Sequence, residues 1–370
     1  MSQISENKQI SPYMAFYMVT TMQIGVGILG FERYIAKTAG HDAWISVIIG
    51  GLLFNVLIWM IYRILSRENA DIIGVHRNLF GRWIGGTLSF LLLIYFSSTI
   101  LTVLRTYIEV IQIWIFPELG TPIITFILLG LAYSYVIGGI RVVAGLSVLG
   151  FFMSLPLFLL KYYALKNAHY TNFLPILDHS FSDLMAATKG VTLDYLGFEL
   201  ILLYLPFLKH PEKSQKWAHL GNLFTMFTYL ITVFVSFVYF NQEQLQHTIW
   251  ATLTLWKIVD LPFAQRFEYA GIALWLFVIL PNICIGFWSV SRGIHRLYKI
   301  KQKSALRTMM FIIFICSILV VDRQQVDILN TKVSQIGFYI LYAYIPFLFV
   351  IQLILGKGNG KGKGRKTSNG

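Results

Sequence analysis

The chain has 370 residues, 56% of them hydrophobic and 16% aromatic, with only 13% charged and a mean hydropathy of +0.65. Soluble domains carry about 25% charged residues, so this balance excludes an ordinary soluble enzyme and indicates a chain solvated largely by lipid. The net charge of +13 does not indicate a nucleic-acid partner, because the basic residues fall between apolar runs and in a tail that lacks interleaved aromatics.

A bilayer core takes about 20 consecutive apolar residues per helix, and runs of that length recur throughout. Short alternating barrel segments are missing, so the fold class is an all-α polytopic membrane protein. The opening stretch, residues 1–12, is polar and carries no basic region followed by a cleavage site. The first apolar run is too long for a signal peptide, so it is expected to be retained.

Ten transmembrane helices are expected in a domain covering 13–355. The first five are 13–36, 43–65, 82–116, 121–140 and 142–165. The first contains "QIGVGILGFER", Gln23 to Arg33, in which Gly25, Gly27 and Gly30 fit the spacing G-x-G-x-x-G. A dinucleotide loop would need a preceding strand, a soluble helix after it and an acid some twenty residues on, none of which is present. Two readings remain: glycines that let a neighbouring helix approach, or a helix interrupted at mid-membrane whose free main-chain groups form a polar site. Three glycines within six residues favour the break.

The third span carries Arg105 and Glu109, four residues apart, which are expected to pair on one helix face; the alternative is a gate. Ser97, Ser98 and Leu101 are candidates to line a pocket, although serines also bond their own helix backbone. The middle of the fifth span has no ionisable residue, and Lys161 comes only near its end.

The second five spans are expected at 183–208, 217–240, 267–295, 305–321 and 334–355. If they form a 5+5 inverted repeat, of 13–165 and 183–355, then span six corresponds to span one. Both contain "LGFE": Leu29 to Glu32 in the first and Leu196 to Glu199 in the sixth. Discontinuous helices come in such matched pairs, so helices one and six are both expected to be discontinuous. Asp194 and Glu199 lie in the apolar run of span six, where a central charge costs ~2.5–3.5 kcal/mol on insertion scales. These acids therefore face a cavity, pair, or stay protonated. For Asp194 the choice lies between capping the break and facing ligand. For Glu199 it lies between proton sensing and a structural carboxyl.

Between spans seven and eight, Gln244 to Asp260 repeats Leu245, Ile249, Leu253 and Trp256 at helical spacing, and reads as a helix lying in the membrane interface. Pro281 is expected to bend span eight, bringing Asn282 or Phe287 towards the centre. Cys284 and Cys316 read as buried small hydrophobes. The histidines show no metal-ligand spacing, and no nucleophile–base pairing is arguable. No metal, cofactor or catalytic residue is expected. Residues 356–370 form a glycine–lysine tail, expected to be disordered and drawn to anionic lipid.

With the N-terminus placed inside, inner loops and termini hold 20 of the 30 basic residues. Both termini are therefore expected in the cytoplasm.

The "GVGIL" of span one and the "YLGFE" of span six resemble the amino-acid/polyamine/organocation permease superfamily. Within it, the length, span count, short N-terminus and basic tail resemble the B subunit of bacterial spore germinant receptors. The resemblance implies that the unwound stretch Gly25, Val26, Gly27 and Ile28 holds an amino acid's carboxylate on its N–H groups. Free carbonyls would take the ammonium, and Leu193 would contact the ligand's side chain. It also implies partners, a larger A subunit and a lipoprotein C subunit, in the spore inner membrane. Glu199 matches the family's acid just past the break. The chain departs from the pattern at Gly30-Phe31-Glu32-Arg33, where transporters often have proline. The expectation is a nutrient sensor; the alternative is a proton- or sodium-coupled amino-acid permease.

Overall fold

A computed structural model describes residues 5–260 and 266–356, excluding the side chains of Asn7 and Leu193. The tail expected over 356–370 lies outside the described residues, apart from the backbone of Gly356. The described residues form helices joined by turns and loops, with one isolated bridge between Ile10 and Leu208.

The helices, in chain order, are α1 (Met14–Gln23), α2 (Phe31–Ala39), α3 (Ala43–Glu68), α4 (Ile72–Trp114), α5 (Thr121–Val136), α6 (Ile140–Leu159), α7 (Tyr162–Leu165) and α8 (Phe181–Tyr195). They continue with α9 (Ile201–Tyr204), α10 (Pro211–Tyr239), α11 (Gln242–His247), α12 (Ala251–Lys257), α13 (Phe267–Tyr298), α14 (Gln302–Leu319), α15 (Arg323–Tyr339) and α16 (Ile345–Gly356). A π-turn over Ile340–Tyr344 joins the last two.

Among the described residues, seven helical segments are long and apolar enough to cross a bilayer. The first and sixth expected spans fall outside that set because each is interrupted, as α1–α2 and α8–α9, and α5 is short at 16 residues.

The interior forms where α13 packs on α4 and α6, α10 on α1 and α3, and α8 on α2 and α3. Helices α14 to α16 instead present many apolar side chains outward, including Phe311, Leu319 and Ile354, as lipid-facing helices do. Pro281 lies inside the continuous helix α13. It cannot donate to the carbonyl four residues back, and Gly150 of α6 packs against that carbonyl, Phe277 O.

Residues 5–12 fold back onto the helices. Ile10 N–H donates to Phe207 O (2.9 Å), Lys209 N–H to Ile10 O (2.8 Å), and Arg141 reaches the carbonyls of Glu6 and Gln9.

The stretch expected as one interfacial helix is two short helices, α11 and α12, tucked against the protein. Leu253 is fully buried, Trp256 nearly so, and Trp256 packs on Gly271 and Trp275. Its apolar face is covered by α13 and α2 rather than by lipid, a distinction that hydropathy alone does not make.

Candidate binding site at two broken helices

Helix α1 ends at Gln23, where Ile24 N–H still reaches Thr20 O (2.8 Å). A tight 3-10 turn at Gly27–Leu29 follows, closed by Leu29 N–H to Val26 O and Gly30 N–H to Gly27 O. Between these, the N–H groups of Gly25, Val26, Gly27 and Ile28 meet no main-chain acceptor among the described residues. Gly30 is in contact with the carbonyl of Ile249, where a Cβ would overlap that oxygen. The segment leading into α12 thus lies directly over the first break.

The second break follows α8. Gly197 sits at φ +110°, a left-handed conformation that favours glycine. Glu199 clasps it: one carboxylate oxygen accepts from Gly197 N–H (2.8 Å), the other from Tyr95 OH (2.7 Å). Glu199 thus holds the turn after α8 to α4.

The breaks are tied together by Tyr229 of α10. Its hydroxyl lies 2.9 Å from Gln23 O and 3.1 Å from Asp194 O, so its proton serves one carbonyl of each broken helix in turn. The ring is held by Tyr195 on one side and Phe31 on the other. Around it, Gln23 donates to Asn222 (2.9 Å), and Asn282 donates to Thr21 O and Val278 O (2.9 and 3.0 Å). Carbonyls released by the interrupted helices are thereby re-satisfied by side chains from α10 and α13.

A cavity of about 620 Å³ opens between the breaks, α4, α13 and α15, within the range of small-molecule sites. Gly25, Val26, Gly27 and Asp194 line it. Ile28 does not; it is buried against a separate, smaller cavity. Leu193 sits on α8 beside Asp194, and its side chain lies outside the described residues. From α4, the cavity is lined by Thr99, Thr102, Thr106 and Glu109. Ser97, Ser98 and Leu101 are off it: the two hydroxyls bond to Leu93 O and Ile94 O of their own helix. From α13, Asn282, Ile283 and Gly286 reach the cavity, whereas Phe287 is fully buried elsewhere.

The expected Arg105–Glu109 ion pair is replaced by a tertiary one. Glu109 pairs with Arg323 of α15 (3.2 Å), while Arg105 is buried with no ion-pair partner among the described residues. The four-residue spacing makes the local pair possible, but Arg323 approaches from across the cavity. Four polar positions of α4 at spacings of three, four and three (Thr99, Thr102, Thr106, Glu109) were the available signal for the cavity face.

Behind the first break, Glu32 at the start of α2 is fully buried. One of its oxygens accepts from Ser236 (2.9 Å) and Thr252 (2.8 Å), and the other has no partner. Lys161, also buried, donates to Thr232 (2.8 Å) and is near enough to act on Glu32 electrostatically. A cavity of about 30 Å³ lies beside Lys161 and Thr252, about one water's share of the liquid.

Away from the cavity, Asp42, Asp178 and His179 bring metal-ligand chemistry within 4.8 Å. The Asp42 carboxylate already accepts the N–H groups of Leu177, Asp178 and His179 at 2.7–3.2 Å, so the group ties a loop to the start of α3. Burial pulls the His179 imidazole down, but hydrogen bonds to Asp42 and Asp178 outweigh this and raise its pKa.

The protein-family description "Spore germination protein" fits residues 9–326. The chain belongs to this spore germination family. It is similar to spore germination protein GerQB of Bacillus cereus, at 44% identity over 95% of this chain and 98% of that one. It also resembles YndE of Bacillus subtilis (strain 168), at 25% identity over 94% and 97%. It is thus a homologue of the germinant-receptor B subunits, the family that its motifs resemble.

Among solved structures, MhsT in complex with L-phenylalanine matches with a TM-score of 0.66 at 14% identity, covering 95% of this chain and 90% of that one. MHP1, a nucleobase-cation-symport-1 family transporter bound to bromovinylhydantoin, matches at 0.67 and 11%, covering 94% and 79%. At these identities the likeness shows the fold alone, a transporter fold. The chain is a multi-pass membrane protein of the spore germination family built on that fold.

Proposed function

We propose that the protein is a germinant-receptor subunit that binds a small amino acid in the cavity between the broken helices and passes the bound state to partner subunits. The observation that carries this is the pair of breaks, stapled by Tyr229, with free main-chain N–H groups and the Asp194 carboxylate on one 620 Å³ cavity. A ligand seated there contacts both broken helices at once, and so favours whichever of two arrangements makes more of those contacts. The reading takes the helices as ten crossings in a 5+5 inverted repeat, with α1–α2 and α8–α9 as the matched interrupted pair. Both termini face the cytoplasm, on the distribution of basic loops. The partners are germinant receptor A and C subunits, and the membrane is the spore inner membrane. No catalytic chemistry is involved.

The second reading is an amino-acid permease coupled to protons or sodium. It is favoured by the buried Lys161 facing Glu32, since intramembrane ionisable groups often mark proton paths. One experiment separates the two: binding of labelled amino acids to the purified protein, followed by uptake into liposomes under imposed ion gradients. Binding without gradient-driven uptake supports the receptor, and concentrative uptake supports the permease. An absence of binding removes both.

A further inference from the structure

Six charged side chains line the cavity: Arg33, Glu109, Lys189, Asp194, Arg323 and Asp327. Three of them form one cluster, a single guanidinium between two carboxylates, with Arg323 3.2 Å from Glu109 and 3.9 Å from Asp327. The other three have no ion-pair partner among the described residues. Asp194 lies at the break, while Lys189, five residues earlier on α8, and Arg33 on α2 stand towards the mouth, where Tyr34 is 54% exposed. Five helical residues separate Asp194 from Lys189 by about 7.5 Å along the axis.

The floor consists of acceptors. The Asp194 carboxylate presses against Gly27 so closely that a Cβ there would overlap its Oδ1. The space beside the free N–H groups is therefore filled by the chain's own carboxyl group, and a ligand carboxylate placed there would collide with it and set acceptor against acceptor. Asn282 Oδ1 is buried without a donor, and faces Gly25; its amide is held in this orientation by Thr21 O and Val278 O. An ammonium group brings three donors and a positive charge to such a floor.

We propose that Asp194 and Asn282 seat the ligand's ammonium group and that Arg33 and Lys189 face its anionic end, so that the pocket selects its ligand by the amino group. This rests on the reading of the cavity as the nutrient site, and it reverses the orientation that the superfamily resemblance implies. The carboxylate points to the mouth rather than to the glycine break.

The test uses the purified full-length protein and a thermal-shift or calorimetric titration. The probes are the twenty L-amino acids singly, the amide and N-acetyl derivative of each amino acid that binds, and size-matched alkylamines and alkyl carboxylates. The expected result is that the amide binds within about tenfold of the parent and the N-acetyl form at least about 100-fold more weakly, as for a lost charge-assisted contact. Asp194→Asn is expected to lose binding in parallel, and Lys189→Met to abolish the difference between acid and amide. N-acetyl forms or carboxylates that bind as tightly as the parent would overturn the orientation while leaving the nutrient site intact. Amines that bind where amino acids do not would uphold the orientation and overturn the amino-acid reading. If neither class binds, both fail.

Discussion

Replacing Gly197 with alanine tests whether the second break is built as described. At φ +110° a side chain is strained by about 1–3 kcal/mol. The new Cβ would also lie 2.7 Å from Met22 Cε, which swings away cheaply, and 3.1 Å from Met22 O, which belongs to α1 beside the first break. Together these amount to ~2–3 kcal/mol, or roughly 30- to 140-fold if the strain falls on the ligand-competent arrangement. Gly145→Ala is the control, because it lies on α6 away from the cavity and its Cβ would meet nothing within 4 Å; less than about a threefold change is expected. Gly27→Ala must displace the Asp194 carboxylate and is expected to weaken the response at least as much as Gly197→Ala. The assay is the nutrient dose–response of spores carrying each variant, with receptor abundance measured by immunoblot. A Gly197→Ala receptor present at normal abundance with an unchanged half-maximal concentration would refute the reasoning, as would a Gly145→Ala effect as large as that of Gly27→Ala.

Tyr229→Phe keeps the buried ring and deletes the hydroxyl shared by Gln23 O and Asp194 O. The loss of a buried hydrogen bond is expected to cost about 1–3 kcal/mol, visible as a lower melting temperature of the purified protein, and no shift would mean that the hydroxyl is not a staple. Lys161→Met strips the buried Glu32 of its nearby cation, with a cost approaching the ~3–5 kcal/mol of a broken buried pair. Adding Glu32→Gln should recover part of that loss, whereas strict additivity in a double-mutant cycle would show that the two groups do not interact. His179 has its pKa raised in the folded protein. Its contribution to the loop clasp is therefore fully present below its unfolded value of about 6.5 and fades as pH rises through the folded value. Amide exchange at Leu177 to His179, corrected for intrinsic rate, should speed up over that interval in the native protein and show no such step in His179→Asn.

The breaks were legible because three clustered glycines and a repeated "LGFE" leave a local mark, and so were the apolar runs that became α3, α10 and α13. What escaped the sequence depends on which face of a helix turns inward. Ser97 and Ser98 stand one turn from the cavity-lining threonines of α4, yet point to their own backbone. The Tyr229 staple has no sequence signature, since one tyrosine in an apolar run looks like any other. Lys161 looked peripheral, near the end of its span, but is buried where α10 folds over it. The segment around Trp250 and Trp256 reads as interfacial because a tryptophan buried by protein and one buried by headgroups have the same hydropathy. Glu109 had an obvious partner at Arg105, but the partner it takes lies more than two hundred residues away.

The most direct test of a ligand-filled cavity between the broken helices is the protection of single cysteines from a small thiol reagent. In a background with Cys284→Ala and Cys316→Ser, Thr99→Cys places a thiol on the cavity wall, and Ser98→Cys places one on the adjacent position off it. A germinating amino acid at saturating concentration should slow modification of the Thr99 variant and leave the Ser98 variant unchanged. Equal modification of the Thr99 variant with and without a nutrient that demonstrably acts through this receptor would place the binding site elsewhere.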